Sequence, residues 1–209
     1  LSDSSLIEKT RTTSFFDFIL RIGWESSTAW GLILIQLAYA NPQIRWYIDN
    51  MPIGEQFPRA YLTNKIMEEG VSAKDAASIV KSFRRLIELP LGTVLNFGTV
   101  ETTGNRIESL TRTKMSSIDP RILLYSLYRY AKECGDYYQF TLDTLMDIHI
   151  QSKGISPVKM FGLTRDEMEA MLRGLSAQYN AYIDVTFTHD LDKITLRDYY
   201  SPESVLGLF

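Results

Sequence analysis

Basic side chains recur along Ser72–Glu88 at the spacing of one helical face. Lys74, Ser78, Lys81 and Arg85 follow i, i+4, i+7 and i+11, so an α-helix gathers them on one side. The other side of this helix is apolar and carries Ala76, Ile79, Val80, Phe83, Leu86 and Ile87. Because a DNA-recognition helix must anchor one face in a core and present the other to phosphate, this pattern predicts such a helix.

Neighbouring basic residues extend the predicted phosphate-binding surface. Arg84 flanks the helix, and Arg106, Arg112 and Lys114 lie in or beside a predicted β-hairpin. A helix in the major groove with a hairpin alongside lets such residues follow a duplex backbone. The candidate DNA-binding residues are Lys74, Ser78, Lys81, Arg84, Arg85, Arg106, Arg112 and Lys114.

A second interpretation of these charges remains open, because the outer face of a helix is commonly just solvated surface. Glu88 adds a carboxylate at the end of the basic stripe. The alternative function is therefore a protein-interaction or regulatory scaffold that binds no nucleic acid. A comparable helix in the second half carries Asp166, Ala170, Arg173 and Ala177 outward, and that surface is expected to repel phosphate.

The elements that must position these residues are clearest in the second half of the chain. Asp119 and Pro120 are typical first residues of a helix, and Thr164 with Glu167 has the spacing of a capping box. The expected order is a helix from Asp119 to Gly135, a short helix from Thr141 through Ile148, a loop at Gly154–Pro157, a helix after Thr164, and strands Tyr182–Thr188 and Lys193–Arg197 around a turn at His189–Asp192.

The first half repeats this order, and Gln56-Phe57 parallels Gln139-Phe140 before the short helix. The expected elements are helices Ala29–Tyr39 and Arg59–Glu69, the basic helix between Ser72 and Pro90, and strands Thr93–Val100 and Arg106–Thr113. Helices followed by a hairpin are typical of a winged helix, so the sequence predicts a mainly α-helical α+β fold. We expect two winged-helix domains, 1–115 with an extra helix at Phe15–Ile22, and 116–209. Residues 1–13 are polar and expected to fray.

The charge distribution places any phosphate contact in the first half of the chain. The 209 residues carry a net charge of −3, but residues 1–115 have 13 Lys and Arg against 12 Asp and Glu, and residues 116–209 have 9 against 13. Cys134 is the one cysteine, which fits a reducing cytoplasm. The apolar run Trp30–Tyr39 is too short for a bilayer. Because the chain starts at Leu1, we expect it to be a fragment of a longer protein.

Residue combinations that would perform catalysis or hold a cofactor are not found in the sequence. Two acidic and histidine groups resemble metal ligands, but one spans a short helix and a loop and the other a predicted turn, so neither is favoured. They are Asp143, Asp147 and His149, and His189, Asp190 and Asp192. The aromatic residues Trp24, Trp30, Trp46, Tyr39 and Tyr47 are interpreted as core rather than as a base-stacking platform. We therefore expect a non-catalytic region without metal or cofactor.

Several short phrases resemble, as a set, the C-terminal region of large phosphoadenosine phosphosulfate (PAPS) reductase-family proteins. They are Gly23-Trp24-Glu25, Ala29-Trp30-Gly31-Leu32, Asn41-Pro42-Gln43, Trp46-Tyr47, Pro90-Leu91-Gly92, Leu95-Asn96-Phe97-Gly98, Leu124-Tyr125-Ser126-Leu127-Tyr128, Gly154-Ile155-Ser156-Pro157, Phe161-Gly162-Leu163 and Phe187-Thr188-His189-Asp190-Leu191. Some proteins of that family accompany DNA sulfur-modification and phage-defence systems. The family's nucleotide-binding loop and cysteine pairs do not occur in this sequence. The resemblance therefore implies an accessory module that partners the catalytic domain of a parent protein.

Overall fold

The computed structural model describes residues 7–8, 11–12, 14–115, 117–150, 152–188 and 191–209. Within them the helices are α1 (Ser14–Ile22), α2 (Ser27–Ala40), α3 (Pro42–Asn50), α4 (Arg59–Met67), α5 (Ala73–Glu88), α6 (Pro90–Leu95), α7 (Pro120–Glu133), α8 (Leu142–Met146), α9 (Pro157–Phe161), α10 (Arg165–Gln178) and α11 (Pro202–Leu206). The strands are β1 (Ile7–Glu8), β2 (Arg11–Thr12), β3 (Gln56–Pro58), β4 (Gly98–Thr103), β5 (Arg106–Arg112), β6 (Gln139–Phe140), β7 (Ile183–Thr188) and β8 (Leu191–Leu196). The expected class, mainly helical with small antiparallel sheets, is confirmed.

The chain divides into two compact units that do not follow chain order. Unit 1 contains β1, β2 and residues 33–117, and unit 2 contains residues 14–32 and 118–209, so α2 starts in one unit and ends in the other. The division expected from the sequence put residues 14–32 in the first domain. In unit 2, Phe18 of α1 instead contacts the ring of Phe209, with the ring centroids 5.8 Å apart. Most of residues 1–13, which were expected to fray, lie outside the described residues.

Unit 1 is built around a three-stranded antiparallel sheet in the order β3-β5-β4. Phe57 of β3 and Val100 of β4 both pair with Leu110 of β5, which is fully buried. Helix α5 begins at the N-cap Ser72, whose hydroxyl accepts a hydrogen bond from the backbone N–H of Asp75. The helix buries Ala76, Val80, Phe83 and Ile87, which share the i, i+4, i+7, i+11 spacing of the basic stripe.

Unit 2 repeats this topology, with strand order β6-β8-β7. Phe140 and Val185 both pair with Ile194, as Phe57 and Val100 pair with Leu110. Helix α10 begins after the N-cap Thr164 and buries Met168, Leu172 and Leu175, which lie four, eight and eleven residues after that cap. The buried Ala76, Val80 and Phe83 lie at the same sequence separations from Ser72 in α5. The two helices can therefore be aligned residue by residue from their N-caps.

Several expected boundaries are wrong, and proline accounts for two of them. The predicted strand from Thr93 begins only at Gly98, because Pro90 ends α5 and also starts α6. Pro157 likewise starts α9 where a loop was expected. Helix α8 ends at Met146, short of Ile148. Strands flank the predicted turn at His189–Asp192, but β8 already begins at Leu191, so Leu191 and Asp192 belong to the strand. Residues 189 and 190 lie outside the described part of the chain.

We predict that Gly92→Ala destabilises the protein by about 2 kcal/mol, as expected for overpacking in a closed site. A Cβ at Gly92 would collide with the backbone carbonyl oxygens of Leu86 and Ile87 at the end of α5. Urea denaturation followed by circular dichroism measures the change.

Gly174→Ala is the matched control, because Gly174 lies inside α10 with no atom within 4 Å of the added Cβ. It should stabilise the protein by about 0.5–1 kcal/mol through higher helix propensity. Equal effects of the two substitutions would contradict the close approach of α6 to α5.

Candidate nucleic-acid interface

Unit 1 contains a concave groove of about 630 Å³ between the start of α4, the C-terminal half of α5 and the turn of the β4–β5 hairpin. Its lining residues are Arg59, Lys81, Arg84, Arg85, Glu88, Asn105, Arg106 and Ile107. Five of these residues are cations and one is a carboxylate, so the formal charge of the lining is five minus one, or +4. We call this feature the basic groove. Its charge favours a ligand with several negative charges.

The buried face of α5 determines which of its basic residues reach the groove. Val80, Phe83 and Ile87 are packed in the core, so Lys81 and Arg85 project from the opposite, exposed side. Arg84 lies between the two faces and is half-buried. The amphipathic pattern expected from the sequence is therefore the physical reason why these cations line one wall of the groove.

Arg84 connects this wall to the hairpin. Its Nε donates to the Glu88 carboxylate at 2.8 Å, and its Nη1 donates to the backbone carbonyl of Asn105 at 3.4 Å. On the opposite wall, the Arg106 side chain is 72% exposed, with Nε 3.7 Å from a carboxylate oxygen of Glu108. Two of the five cations are thus close to carboxylates of the protein itself.

The other three cations of the groove are available to a ligand. In the part of the chain that the structure describes, the side chains of Arg59, Lys81 and Arg85 have no ion pair and no hydrogen bond. Unpaired cations on a concave surface attract polyanions most strongly at low ionic strength. These three side chains are the strongest candidates for phosphate contact.

Arg59 was missed as a site residue in the sequence, where it was seen only as the start of a helix. It is the first residue of α4, and Pro58 at the N-cap provides no side-chain hydrogen bond to the helix. A cation at a helix N-terminus is disfavoured by the helix dipole. That unfavourable placement is the signal that could have identified Arg59 as a functional candidate.

Three other predicted DNA-binding residues, Lys74, Ser78 and Lys114, lie outside the groove lining. Lys74 and Ser78 are exposed on the same side of α5 as Lys81, nearer the start of the helix. Lys114 follows β5, is half-buried, and accepts a hydrogen bond at its backbone carbonyl from the Asn96 side chain at 3.2 Å. The structure thus groups Lys81, Arg84, Arg85 and Arg106 around one groove, with Lys74 and Ser78 continuing the exposed face.

The prediction that Arg112 binds DNA is wrong, because its side chain is buried. It is 1% exposed, so its guanidinium cannot reach a phosphate on a bound ligand. Nη1 donates to the carbonyl oxygens of Ile48 at 2.8 Å and Met51 at 3.3 Å, which lie at the C-terminal end of α3. Arg112 therefore satisfies carbonyls that the end of a helix leaves without partners.

The burial of Arg112 follows from its place in the repeated sheet. It lies two residues after Leu110, as Leu196 lies two residues after Ile194, and Leu196 is buried as well. An arginine thus occupies a core position of β5. Burial lowers the pKa of Arg112 to about 10, although the nearby Tyr47 hydroxyl and Asp49 carboxylate oppose this shift.

The equivalent face of unit 2 has a different charge pattern on the same scaffold. Counted from the N-caps, Lys74, Ser78, Lys81 and Arg85 correspond to Asp166, Ala170, Arg173 and Ala177. Arg173 pairs with Glu169 at 2.6 Å. Arg165 pairs with Asp143 at 2.6 Å and with Asp192 at 3.3 Å. The cations on this side of unit 2 are thus neutralised by its own carboxylates.

One candidate metal group from the sequence is accounted for by local contacts, while His189 and Asp190 of the other group lie outside the described residues. The described residues contain no group of three or more His, Cys, Asp or Glu side chains arranged for a metal ion. Asp143 pairs with Arg165, and Asp147 accepts from the backbone N–H of His149 at 2.8 Å. Trp46 stacks on the buried Phe83 rather than joining a platform.

Comparisons with known proteins add no assignment. Neither family models, nor curated proteins, nor solved structures match the chain. Among the described helices, none combines the length and the apolar character required to cross a bilayer. The function of the basic groove must therefore be argued from its own geometry and charge.

We predict that Arg112→Ala lowers the free energy of unfolding by about 3 kcal/mol, because it removes a buried, hydrogen-bonded cation. Chemical denaturation measures this change. Arg106→Ala is the control, because an exposed arginine contributes less than about 0.5 kcal/mol. If Arg112→Ala left stability unchanged but weakened polyanion binding, the assignment of Arg112 to the core would be wrong.

Proposed function

We propose that unit 1 binds the phosphate backbone of duplex DNA through the basic groove, and that the chain is a non-catalytic docking module. The observation that carries this proposal is the convergence of five cations from α4, α5 and the β4–β5 hairpin on one concave surface. Three of these cations, Arg59, Lys81 and Arg85, have no side-chain partner among the described residues that would account for their placement. Phosphate oxygens are the acceptors that lysine and arginine bind most readily in nucleic acids.

We further propose that each unit is a winged helix. The repeated order of a short strand, three helices and a hairpin supports this, as does the pairing of the short strand with the last strand in both sheets. In this interpretation α5 is the recognition helix and the β4–β5 hairpin is the wing. Because Lys74 and Ser78 extend the exposed face of α5 beyond the groove, the helix can lie along a major groove while the wing contacts backbone.

Unit 2 has the role of binding protein rather than DNA in this proposal. Its equivalent face carries paired cations and the carboxylates Asp166 and Glu169. Tyr137 and Tyr199 are 60% and 71% exposed, and exposed aromatic residues are enriched at protein interfaces. A scaffold that binds only protein partners is the second candidate function for the whole chain. It predicts no salt-dependent affinity for DNA.

The parent of this module is proposed from the sequence resemblance alone. A large PAPS reductase-like protein would supply the catalytic domain, and this region would place that domain on DNA. The lack of a catalytic constellation in the sequence is compatible with such an accessory role. An open reading frame that encodes a nucleotide-binding domain before Leu1 would support the proposal.

We predict that Lys81→Glu with Arg85→Glu abolishes binding to duplex DNA at low salt, because two unpaired groove cations become anions. An electrophoretic shift assay measures binding, and an unchanged circular dichroism spectrum shows that the fold is retained. Lys132→Glu with Lys193→Glu is the matched control, since it changes the net charge equally at two exposed positions of unit 2. Equal loss in both double variants would refute a specific role of the groove.

We predict that Arg59→Ala makes the salt dependence of DNA binding less steep. If Arg59, Lys81, Arg85 and Arg106 each contact one phosphate, the slope of log K against log salt is about −3.6, at about −0.9 per contact. Removal of Arg59 should bring the slope to about −2.7. Fluorescence anisotropy titrations at several salt concentrations measure it, and an unchanged slope would exclude Arg59 from the interface.

A further inference from the structure

The last turn of α5 places a carboxylate among the cations of the basic groove. Glu88 is 46% exposed at its side chain and accepts a hydrogen bond from Nε of Arg84 at 2.8 Å. The helix dipole disfavours a negative charge in the last turn of a helix. An exposed i, i+4 ion pair contributes little to stability in return. The stability of α5 therefore does not explain why a carboxylate lies here.

The repeated scaffold does not require this carboxylate either. Glu88 is the last residue of α5, sixteen residues after the N-cap Ser72, whereas α10 ends at Gln178, so the residue sixteen positions after Thr164, Asn180, already lies beyond the helix. The carboxylate thus occurs in the unit whose helix carries the basic stripe. Glu88 is therefore a feature of the basic groove and not a requirement of the repeated fold.

Arg84 is the groove cation that Glu88 controls. Its guanidinium already binds Glu88 through Nε and the carbonyl of Asn105 through Nη1. A phosphate can still reach the remaining N–H groups of Arg84, but it then lies close to the negative charge of Glu88, and a bidentate contact through Nε requires that the phosphate displace the carboxylate. Arg59, Lys81 and Arg85 impose no such competition, because their side chains have no partner among the described residues.

We propose that the Glu88 carboxylate competes with phosphate for Arg84, and that this competition makes the groove bind nucleic-acid strands in preference to single phosphate ions. This inference rests on the proposed binding of DNA by the groove. A free phosphate gains little at Arg84, because one ion pair replaces another. A nucleic-acid strand is held at the same time by the unpaired cations, so it tolerates the weak position at Arg84. The ligand class is therefore a chain of several phosphodiesters.

The test is Glu88→Gln, which keeps the shape of the side chain and removes its charge. We expect duplex DNA to bind about three- to tenfold more tightly at low salt, with a salt slope steeper by about 0.9 because one more phosphate contact releases counterions. We also expect inorganic phosphate to become a stronger competitor of the duplex. Fluorescence anisotropy with a labelled duplex measures all three quantities.

Two controls separate this effect from a general change in charge. Glu68→Gln removes an exposed carboxylate of unit 1 that does not line the groove, and it should leave affinity and slope within error of the wild type. Glu88→Gln in an Arg84→Ala background should give no gain, because the competition is for Arg84. An equal gain with Glu68→Gln, or an undiminished gain without Arg84, would overturn the proposal.

The failure of this inference can be distinguished from failure of the proposed function. If the wild type binds duplex DNA and Glu88→Gln binds no more tightly, the role of Glu88 is refuted and the DNA-binding function stands. If neither protein binds duplex DNA at low salt, both proposals are refuted. Binding by Glu88→Gln alone would support the competitor and show that it suppresses the groove in the wild type.

Discussion

Electrostatic repulsion is the constraint on which the basic groove depends. Five cations that line one groove of about 630 Å³ repel one another, and a flexible chain would let them separate. They stay together because packed elements carry them, with α5 held by Ala76, Val80, Phe83 and Ile87 in the core of unit 1. The energy of the buried face therefore maintains an arrangement that its exposed face disfavours, and a polyanion that neutralises the groove relieves the repulsion.

The comparison of the two units separates scaffold from function. Both sheets place one short strand beside the last strand, and Leu110 and Ile194 hold the same central position. The helices α5 and α10 bury side chains in the same register, but the exposed face of α5 is basic, whereas the cation on the equivalent face of α10 is paired with a carboxylate. Because the exposed residues contribute little to folding, they can differ freely while the core pattern stays the same. The basic face is therefore not a requirement of the fold.

Arg112 illustrates how charge alone misleads in a sequence. It has the same chemistry as Arg106 and lies on the same strand, yet one side chain is buried and the other is 72% exposed. Strict alternation would put the two side chains on one face, because they are six residues apart. A register shift in the β4–β5 pairing, between Glu101 and Thr102, lies between them, so Arg112 faces the core with Leu110 while Arg106 is exposed. The carbonyls at the end of α3 then provide the hydrogen bonds that make burial of a guanidinium tolerable.

The sequence by itself determined the long helices, the N-caps Ser72, Asp119 and Thr164, the presence of both hairpins and the amphipathic division of α5, since these follow from local spacing and capping chemistry. Proline at the first helical position is a local signal as well, so Pro90 and Pro157 could have indicated the starts of α6 and α9. The sequence could not determine that residues 14–32 belong to unit 2, because that outcome depends on packing between distant segments. For the site, the sequence indicated Lys81, Arg84, Arg85 and Arg106. Tertiary structure alone brought Arg59 to the same groove and removed Arg112 from it. The physical reason is that a groove is formed by several elements, and the strand and helix ends that meet there are far apart in the chain.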